Sequence, residues 1–182
     1  GIDPASVRAV GLSAAMVGAW VLDANGEPLR PGIVWEDSRS QPIIDEMRDR
    51  DPAVMSRIFQ SSGSVMQQGC TLPLLAWLKR HEPDLMGQAS QVVSYKDFLR
   101  FRLTGLVATD RSEASVIPGN ARTRSRSDEM IELFGLGDCA HLLPPVRDSE
   151  EIIGGLSSEA AALTGLAEGT PVAIGAGDVV ST

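Results

Sequence analysis

The residues best suited to chemistry are Gly175-Ala176-Gly177-Asp178, which follow the apolar run Pro171-Val172-Ala173-Ile174. A buried strand of that kind delivers a carboxylate to its C-terminal end, where ligands gather in open α/β sheets. Flanking glycines let a substrate or a phosphate come close to the backbone. An aspartate held there can take a proton from a hydroxyl or help hold a metal ion. The same four residues also read as a plain turn after a strand.

Two further groups stand near strand ends. Gly11-Leu12-Ser13-Ala14-Ala15-Met16-Val17-Gly18 closes a strand-like run with small residues, either for tight packing or to leave room for a ligand at a rim made by Met16 and Val17. Trp35-Glu36-Asp37-Ser38-Arg39 places an aromatic, two acids and a guanidinium together. Arg39 can grip a carboxylate or pair with Asp37 through two parallel hydrogen bonds, and Trp35 can offer a flat apolar face to the C–H surface of a sugar. A surface ion pair beside a half-buried Trp is the plainer alternative. His81 ends a Lys79-Arg80-His81-Glu82 run and reads as a solvated helix terminus, and His141 reads as a loop residue.

Positioning these groups requires strands and helices in alternation. Residues 7–13 and 19–23 read as strands, the first mostly buried, and Asn25-Gly26 after the second is a hairpin signal. Residues 32–35 make a third short strand. Ser40 is expected to cap a helix running to Arg50, and a second short helix after Asp51-Pro52 carries Met55, Ile58 and Phe59 on one face. Residues 61–69 read as a loop, 72–81 as a helix and 92–95 as a strand. Asp97 is expected to cap a helix closed by Gly105, residues 109–126 read as irregular, and Ser127 caps a helix ended by Gly135. A helix begins at Ser157 or Ser158, is closed by Gly165, and leads to the strand before Gly175. This order predicts an α/β fold with a mixed sheet and a helical insertion between the early strands and the last.

Composition narrows the function. The 182 residues include 16 Lys or Arg against 24 Asp or Glu, a net charge of −8 that argues against a general nucleic-acid binder. Arg122-Thr123-Arg124-Ser125-Arg126 is short and isolated in this acidic chain and reads as a solvated loop. Two Cys and two His rule out a disulfide scaffold and leave little for a metal site of those ligands. No apolar run approaches the roughly 18 residues of a membrane span, and no signal peptide is evident, so a cytoplasmic setting is expected. The sequence begins Gly1-Ile2-Asp3-Pro4 and ends soon after a strand, and it reads as a piece of something longer.

Taken together, these stretches resemble the FGGY family of carbohydrate kinases. Residues 7–18, with Trp20-Val21-Leu22-Asp23 and Pro28-Leu29-Arg30-Pro31, are similar to the family's strand, sugar-rim turn and hairpin. Ile33-Val34-Trp35-Glu36-Asp37-Ser38-Arg39 resembles its Trp-x-Asp-x-Arg block. Lys96-Asp97-Phe98-Leu99, Leu103-Thr104-Gly105 and Ala108-Thr109-Asp110-Arg111-Ser112-Glu113-Ala114-Ser115 follow a family segment. Ala162-Leu163-Thr164-Gly165-Leu166, Gly169-Thr170-Pro171-Val172 and Gly177-Asp178 complete the match.

The resemblance implies a ribonuclease H-like, actin-like ATPase fold in which two domains flank a cleft. Residues 1–182 would be the N-terminal, sugar-binding domain without its first segment, which would carry a glycine-rich phosphate loop and an acid near the metal. A C-terminal, ATP-binding domain would follow. The implied reaction is ATP- and Mg²⁺-dependent phosphorylation of a pentulose or related ketose or polyol. Asp178 would be the general base, with Met16, Val17, Trp35, Asp37, Arg39 and Val179 lining or bracing the sugar site and Gly175 and Gly177 near the cofactor. No metal ligand is assigned within the chain, which alone is expected to be inactive. Self-association as a homodimer is an expectation from the domain face that a partner domain would cover. A non-catalytic sugar-binding or regulatory protein of the same fold is the alternative.

Two positions bear on the substrate. Where xylulose kinases of the family often carry Met-His at the rim, this chain has Met16-Val17, and the Arg-Glu pair of glycerol kinases is absent. After the base, many members have Asn or Gln, whereas this chain has Val179. An apolar group facing a sugar hydroxyl leaves it unpaired, so D-xylulose and glycerol are disfavoured. The ending Asp178-Val179-Val180-Ser181-Thr182 resembles the branch that acts on L-xylulose or keto-gulonate.

Overall fold

The computed structural model describes residues 3–181. The elements, in order, are β1 (Ser13–Ala14), β2 (Trp20–Leu22), α1 (Gln41–Arg50), α2 (Val54–Ser62), α3 (Thr71–His81), α4 (Pro83–Met86), β3 (Gln91–Val93) and α5 (Tyr95–Thr104). There follow β4 (Thr109–Asp110), α6 (Arg111–Val116), α7 (Asp128–Leu133), β5 (Val146–Arg147), β6 (Ile152–Gly155), α8 (Ser158–Thr164), β7 (Pro171–Ala173), β8 (Ala176–Gly177) and α9 (Asp178–Ser181). The strands form four short pairs: β1 with β8 and β4 with β5 are parallel, β2 with β3 and β6 with β7 antiparallel. Mixed pairing with helices inserted between β2 and β7 agrees with the α/β expectation. Among the described residues no helix is long and apolar enough to cross a membrane.

Two apolar clusters hold the fold. The larger joins Leu72, Leu74, Leu75 and Leu78 of α3 to Ile43 of α1, Val54 and Ile58 of α2, Val21 and Val92 of the β2–β3 pair, and Met130 and Ile131 of α7. The smaller packs Ala160 of α8 against Leu156 and Val172, with Val10 and Leu103 at its edge. The larger cluster is the helical insertion; the smaller lies behind the strands that lead to Asp178.

Local chemistry explains most boundaries. Ser127 Oγ accepts the Met130 amide and Ser157 Oγ accepts the Ala160 amide, so α7 and α8 are capped as expected. Gly105 and Gly165 end α5 and α8 in the left-handed conformation. The Asn25-Gly26 turn is tied by Asp23, whose backbone amide donates to Glu27 O at 2.9 Å and whose Oδ1 accepts the Asn25 amide at 2.8 Å.

Several expectations are corrected. Residues 7–13 are not a buried continuous strand. Val10 bridges Val172 in parallel and regular pairing starts only at Ser13, while Arg8, Ala9, Gly11 and Ser13 stay exposed. The third strand is reduced to one bridge, Ile33 to Ala19, and the regular partner of β2 is β3. Ser40 stands at the start of α1, but its hydroxyl donates to Gln68 O and caps nothing. On α2 the inward face is Val54, Ile58 and Ser62, and Phe59 is 53% exposed. Ser94, not Asp97, caps α5. Residues 109–116 are regular: β4 runs directly into α6, with Asp110 accepting the Ser112 amide at 2.7 Å.

Candidate functional site

The strand β8 ends at Gly177, and Asp178 opens the short helix α9. Its Oδ1 accepts the Val179 amide at 2.9 Å, and Ser181 Oγ donates back to Gly177 O at 2.9 Å, so the turn after the strand is tied on both sides. The parallel register Ser13 to Ala176 and Ala14 to Gly177 brings the rim that follows β1 beside this turn. Two glycines permit that closeness. Gly175 has φ +77, and a Cβ there would meet Leu12 O at 2.2 Å; a Cβ on Gly177 would meet Met16 Cγ and Sδ at 2.2 Å.

The result is a cleft of about 380 Å³ lined by Ala15, Met16, Val17, Trp35, Asp178, Val179 and others. That volume lies in the range of about 300–1,000 Å³ usual for small-molecule sites. Five of the sequence-predicted residues, Met16, Val17, Trp35, Asp178 and Val179, thus share one cavity. Trp35 is 51% exposed and offers its ring to it. Ser64, Val65, Gln67, Cys70, Val116 and Val180 complete the lining. Sequence reading left Ser64, Val65 and Gln67 in an undifferentiated loop, and their polar or exposed character gave no other signal. A smaller pocket of about 140 Å³ shares Met16, Val17 and Trp35 and is closed on its other side by Trp20 and Tyr95.

Asp37 and Arg39 do not line the cleft. Arg39 Nε and Nη2 donate to the two oxygens of Asp37 at 2.9 Å each, and the Arg39 backbone amide also donates to Asp37. These donors hold the Asp37 carboxyl below the usual carboxylate range. The guanidinium sits 4.9 Å from the centre of the Trp77 ring, which fastens the Trp35 loop to α3. Gly175 and Gly177 are buried behind the cleft, and the Gly177 amide donates to Ser112 Oγ at 3.2 Å.

Beneath the site lies a group that sequence reading missed: Lys96, Asp97, Arg100, Asp110 and Glu113 are all buried. Lys96 Nζ is 2.6 Å from Asp97 Oδ1 and 3.1 Å from Asp110 Oδ1, and Arg100 Nη1 is 2.8 Å from Asp97 Oδ1. The group reaches outward through bonds between its side chains and the backbone. Arg100 Nη1 donates to Ile174 O at 3.0 Å, Asp110 accepts from Ser112, which accepts from Gly177, and Glu113 Oε1 accepts the Val17 amide at 2.7 Å. Both walls of the cleft are therefore fixed from one buried cluster. The signal was present in the sequence as charges three and four residues apart along α5 and α6, which share a helix face. Glu113 Oε2, Asp97 Oδ2 and Thr109 Oγ1 have no protein partner, and all three residues line a cavity of about 20 Å³, enough for one water.

Burial, and then the charge of Asp97, push the Glu113 carboxyl up to about 8; Asp110 adds to this, and the Val17 amide and Lys96 oppose it. The folded chain keeps a proton that the unfolded chain releases near 4.5. This contribution to stability is complete below about pH 4.5 and is lost as pH rises through about 8. Glu113→Gln keeps the acceptor for Val17 and cannot ionise. Its urea midpoint is expected to fall less than that of the unsubstituted chain over this interval; parallel curves would show that Glu113 is ionised throughout.

The chain is similar to known proteins over nearly its whole length. The model of the FGGY family of carbohydrate kinases, N-terminal domain, matches residues 1–182. The L-xylulose/3-keto-L-gulonate kinase of Escherichia coli (strain K12) is 33% identical over 100% of the chain and 36% of that protein. The xylulose kinase of the same strain is 36% identical over 94% of the chain and 34% of that protein. The crystal structure of xylulose kinase from Rhodospirillum rubrum superposes with a TM-score of 0.85 at 26% identity, covering 96% of the chain and 36% of that structure. The chain thus spans about a third of the length of the curated relatives it matches. With its mixed pairs, helical insertion and strand-delivered aspartate, it has the actin-like ATPase fold of its neighbours and belongs to the FGGY family of carbohydrate kinases.

Proposed function

We propose that this chain is the sugar-binding part of an ATP-dependent carbohydrate kinase in which Asp178 is the general base. The observation that carries the reading is the shared cleft of Asp178, Met16, Val17, Trp35 and Val179. A sugar hydroxyl is a weak nucleophile. A carboxylate at hydrogen-bond distance takes its proton as the new oxygen–phosphorus bond forms. The bond from the γ-phosphorus to the leaving ADP oxygen breaks, and the proton stays on the Asp178 carboxyl. ATP supplies the phosphoryl group. Most of the remaining acceleration in such transfers comes from positioning and charge neutralisation. Among the described residues no group of three His, Cys, Asp or Glu side chains is placed to hold a metal ion.

Trp35 would lie against the C–H face of the sugar and Met16 and Val17 would close its edge, while the Asp37–Arg39 pair braces the loop that carries Trp35. Gly175 and Gly177 would serve the site from behind, by letting Leu12 and Met16 close up to the turn that carries Asp178. Val17 and Val179 give the cleft two apolar faces, which favours a ketose that presents no hydroxyl there. The chain is similar both to an L-xylulose/3-keto-L-gulonate kinase and to a xylulose kinase, and the valines at 17 and 179 are what favour L-xylulose or a related keto-sugar over D-xylulose here. The test is a panel of ketopentoses, keto-hexonates and polyols given to the full-length protein with ATP, read by coupled ADP release and by calorimetric sugar titration. Sugar-dependent turnover with a preference for L-xylulose-like acceptors supports the reading. Sugar binding without turnover would overturn the kinase assignment, and no binding at all would overturn the site. The 182-residue chain alone is expected to show no sugar-dependent turnover.

A further inference from the structure

We propose that Glu113 is a positioning residue of the sugar rim: from inside the fold its carboxyl holds the Val17 amide and so fixes the left-handed turn that presents Met16 and Val17 to the cleft. The inference rests on the sugar-site reading above. Val17 has φ +56, a conformation that a β-branched residue rarely adopts. Such backbone persists only where its surroundings over-determine it. Here three bonds do so. The Val17 amide donates to Glu113 Oε1 at 2.7 Å, the Gly18 amide donates to Gly69 O at 3.0 Å, and Thr71 Oγ1 donates to Gly18 O at 2.8 Å. Only the first of these acts on Val17 itself, and it comes from a side chain 96 residues away.

Glu113 does not touch the cleft. It is 3% exposed, and it faces Lys96 and Asp97 of α5, Asp110 of β4 and Cys70 before α3. Burying a carboxyl costs free energy unless it is hydrogen-bonded or paired. The bond it makes is to the one non-glycine residue of the rim with a positive φ. The same helix carries Val116 to the cleft wall, so a shift of α6 would move the wall and the rim together. Without the carboxyl, Val17 relaxes toward an ordinary extended or helical conformation and the Met16–Val17 edge leaves its place. Sugar contact is lost while Asp178, held at the end of β8 by its own bonds, stays.

The test uses the full-length protein with the ketose that the unsubstituted enzyme phosphorylates best. Glu113→Gln retains an acceptor oxygen and is expected to keep KM within about threefold, whereas Glu113→Ala raises KM by about tenfold or more with kcat changed by less than about threefold. Residue-resolved amide exchange at Val17 is expected to speed up in Glu113→Ala and to stay slow in Glu113→Gln. Glu113→Met, which fills the space of the side chain, is read in the same way should the alanine variant fail to fold. Faster Val17 exchange with KM unchanged in the alanine or methionine variant would overturn the proposal and leave the kinase reading intact. A glutamine variant whose KM rises as much as that of the alanine variant would also overturn it, because the acceptor would then not be what matters. An unsubstituted enzyme that neither binds nor phosphorylates any sugar fails the functional reading before the variants are compared.

Discussion

Asp178→Asn is expected to lower kcat for sugar phosphorylation by about 10²–10⁴-fold while leaving the sugar dissociation constant within about threefold. The two carboxamide atoms occupy the space of the two carboxylate oxygens, so the shape of the cleft and its Met16, Val17 and Trp35 walls persist. The Asn side-chain oxygen can still accept the Val179 amide, which Asp178 Oδ1 accepts at 2.9 Å, so the start of α9 keeps its tie. What is lost is a group able to hold the proton of the acceptor hydroxyl. Steady-state kinetics and calorimetry on the same preparation separate the two quantities. A variant that loses binding and turnover together would show Asp178 to be a binding group, and one that keeps its turnover would remove it from the chemistry.

The second large effect is on stability. Arg100→Met is expected to destabilise the chain by about 3–5 kcal/mol, because removing one partner of a buried ionic group leaves its counter-charges uncompensated. Arg100 and Lys96 are each fully buried, and Arg100 bonds Asp97 Oδ1, Ile174 O and Ala108 O. Without it Lys96 alone faces the carboxyls of Asp97, Asp110 and Glu113, and two buried carbonyls lose a donor. Set against a typical total of about 5–15 kcal/mol, this is a large share. Urea unfolding measures it. The control is Arg50→Met: that guanidinium is largely exposed beside Glu46, and its loss is expected to leave the midpoint in place. Equal behaviour of the two variants would mean that the buried cluster does not hold the fold.

Sequence and structure agree best where local chemistry decides. Ser127, Ser157, Gly105, Gly165 and the Asn25-Gly26 turn act through neighbours within a few residues, so their roles are visible in the residue order. Met16, Val17, Trp35 and Asp178 stood out as candidates because strand ends and glycines mark where a ligand can come close, and Val179 only through the family resemblance. What brings them into one cleft is the parallel register of β1 and β8, which joins residues more than 160 apart and leaves no local trace. Asp97 shows the opposite failure. Its type and position suit a helix cap, but Ser94 takes that role because Asp97 is claimed by Lys96 and Arg100 in the interior. Phe59 similarly fits the helical spacing of α2 and still faces outward, since Val54, Ile58 and Ser62 fill the inward face.

The buried cluster also explains how a small domain keeps a precise cleft on very short strands. Four two-stranded pairs supply few backbone bonds, and the two longest side chains in the interior, Arg100 and Lys96, substitute for part of a continuous sheet. Arg100 secures Ile174, the Asp110–Ser112 relay secures Gly177, and Glu113 secures Val17. Chemistry at the surface and charge in the interior are thus linked by hydrogen bonds between side chains and the backbone.

The most direct measurement is a crystal structure of the full-length protein with L-xylulose. The sugar is expected between the Met16–Val17 edge and the Trp35 ring, with one hydroxyl oxygen about 2.6–3.2 Å from an Asp178 carboxylate oxygen. A sugar bound elsewhere, or held in this cleft with every hydroxyl beyond reach of Asp178, would contradict it.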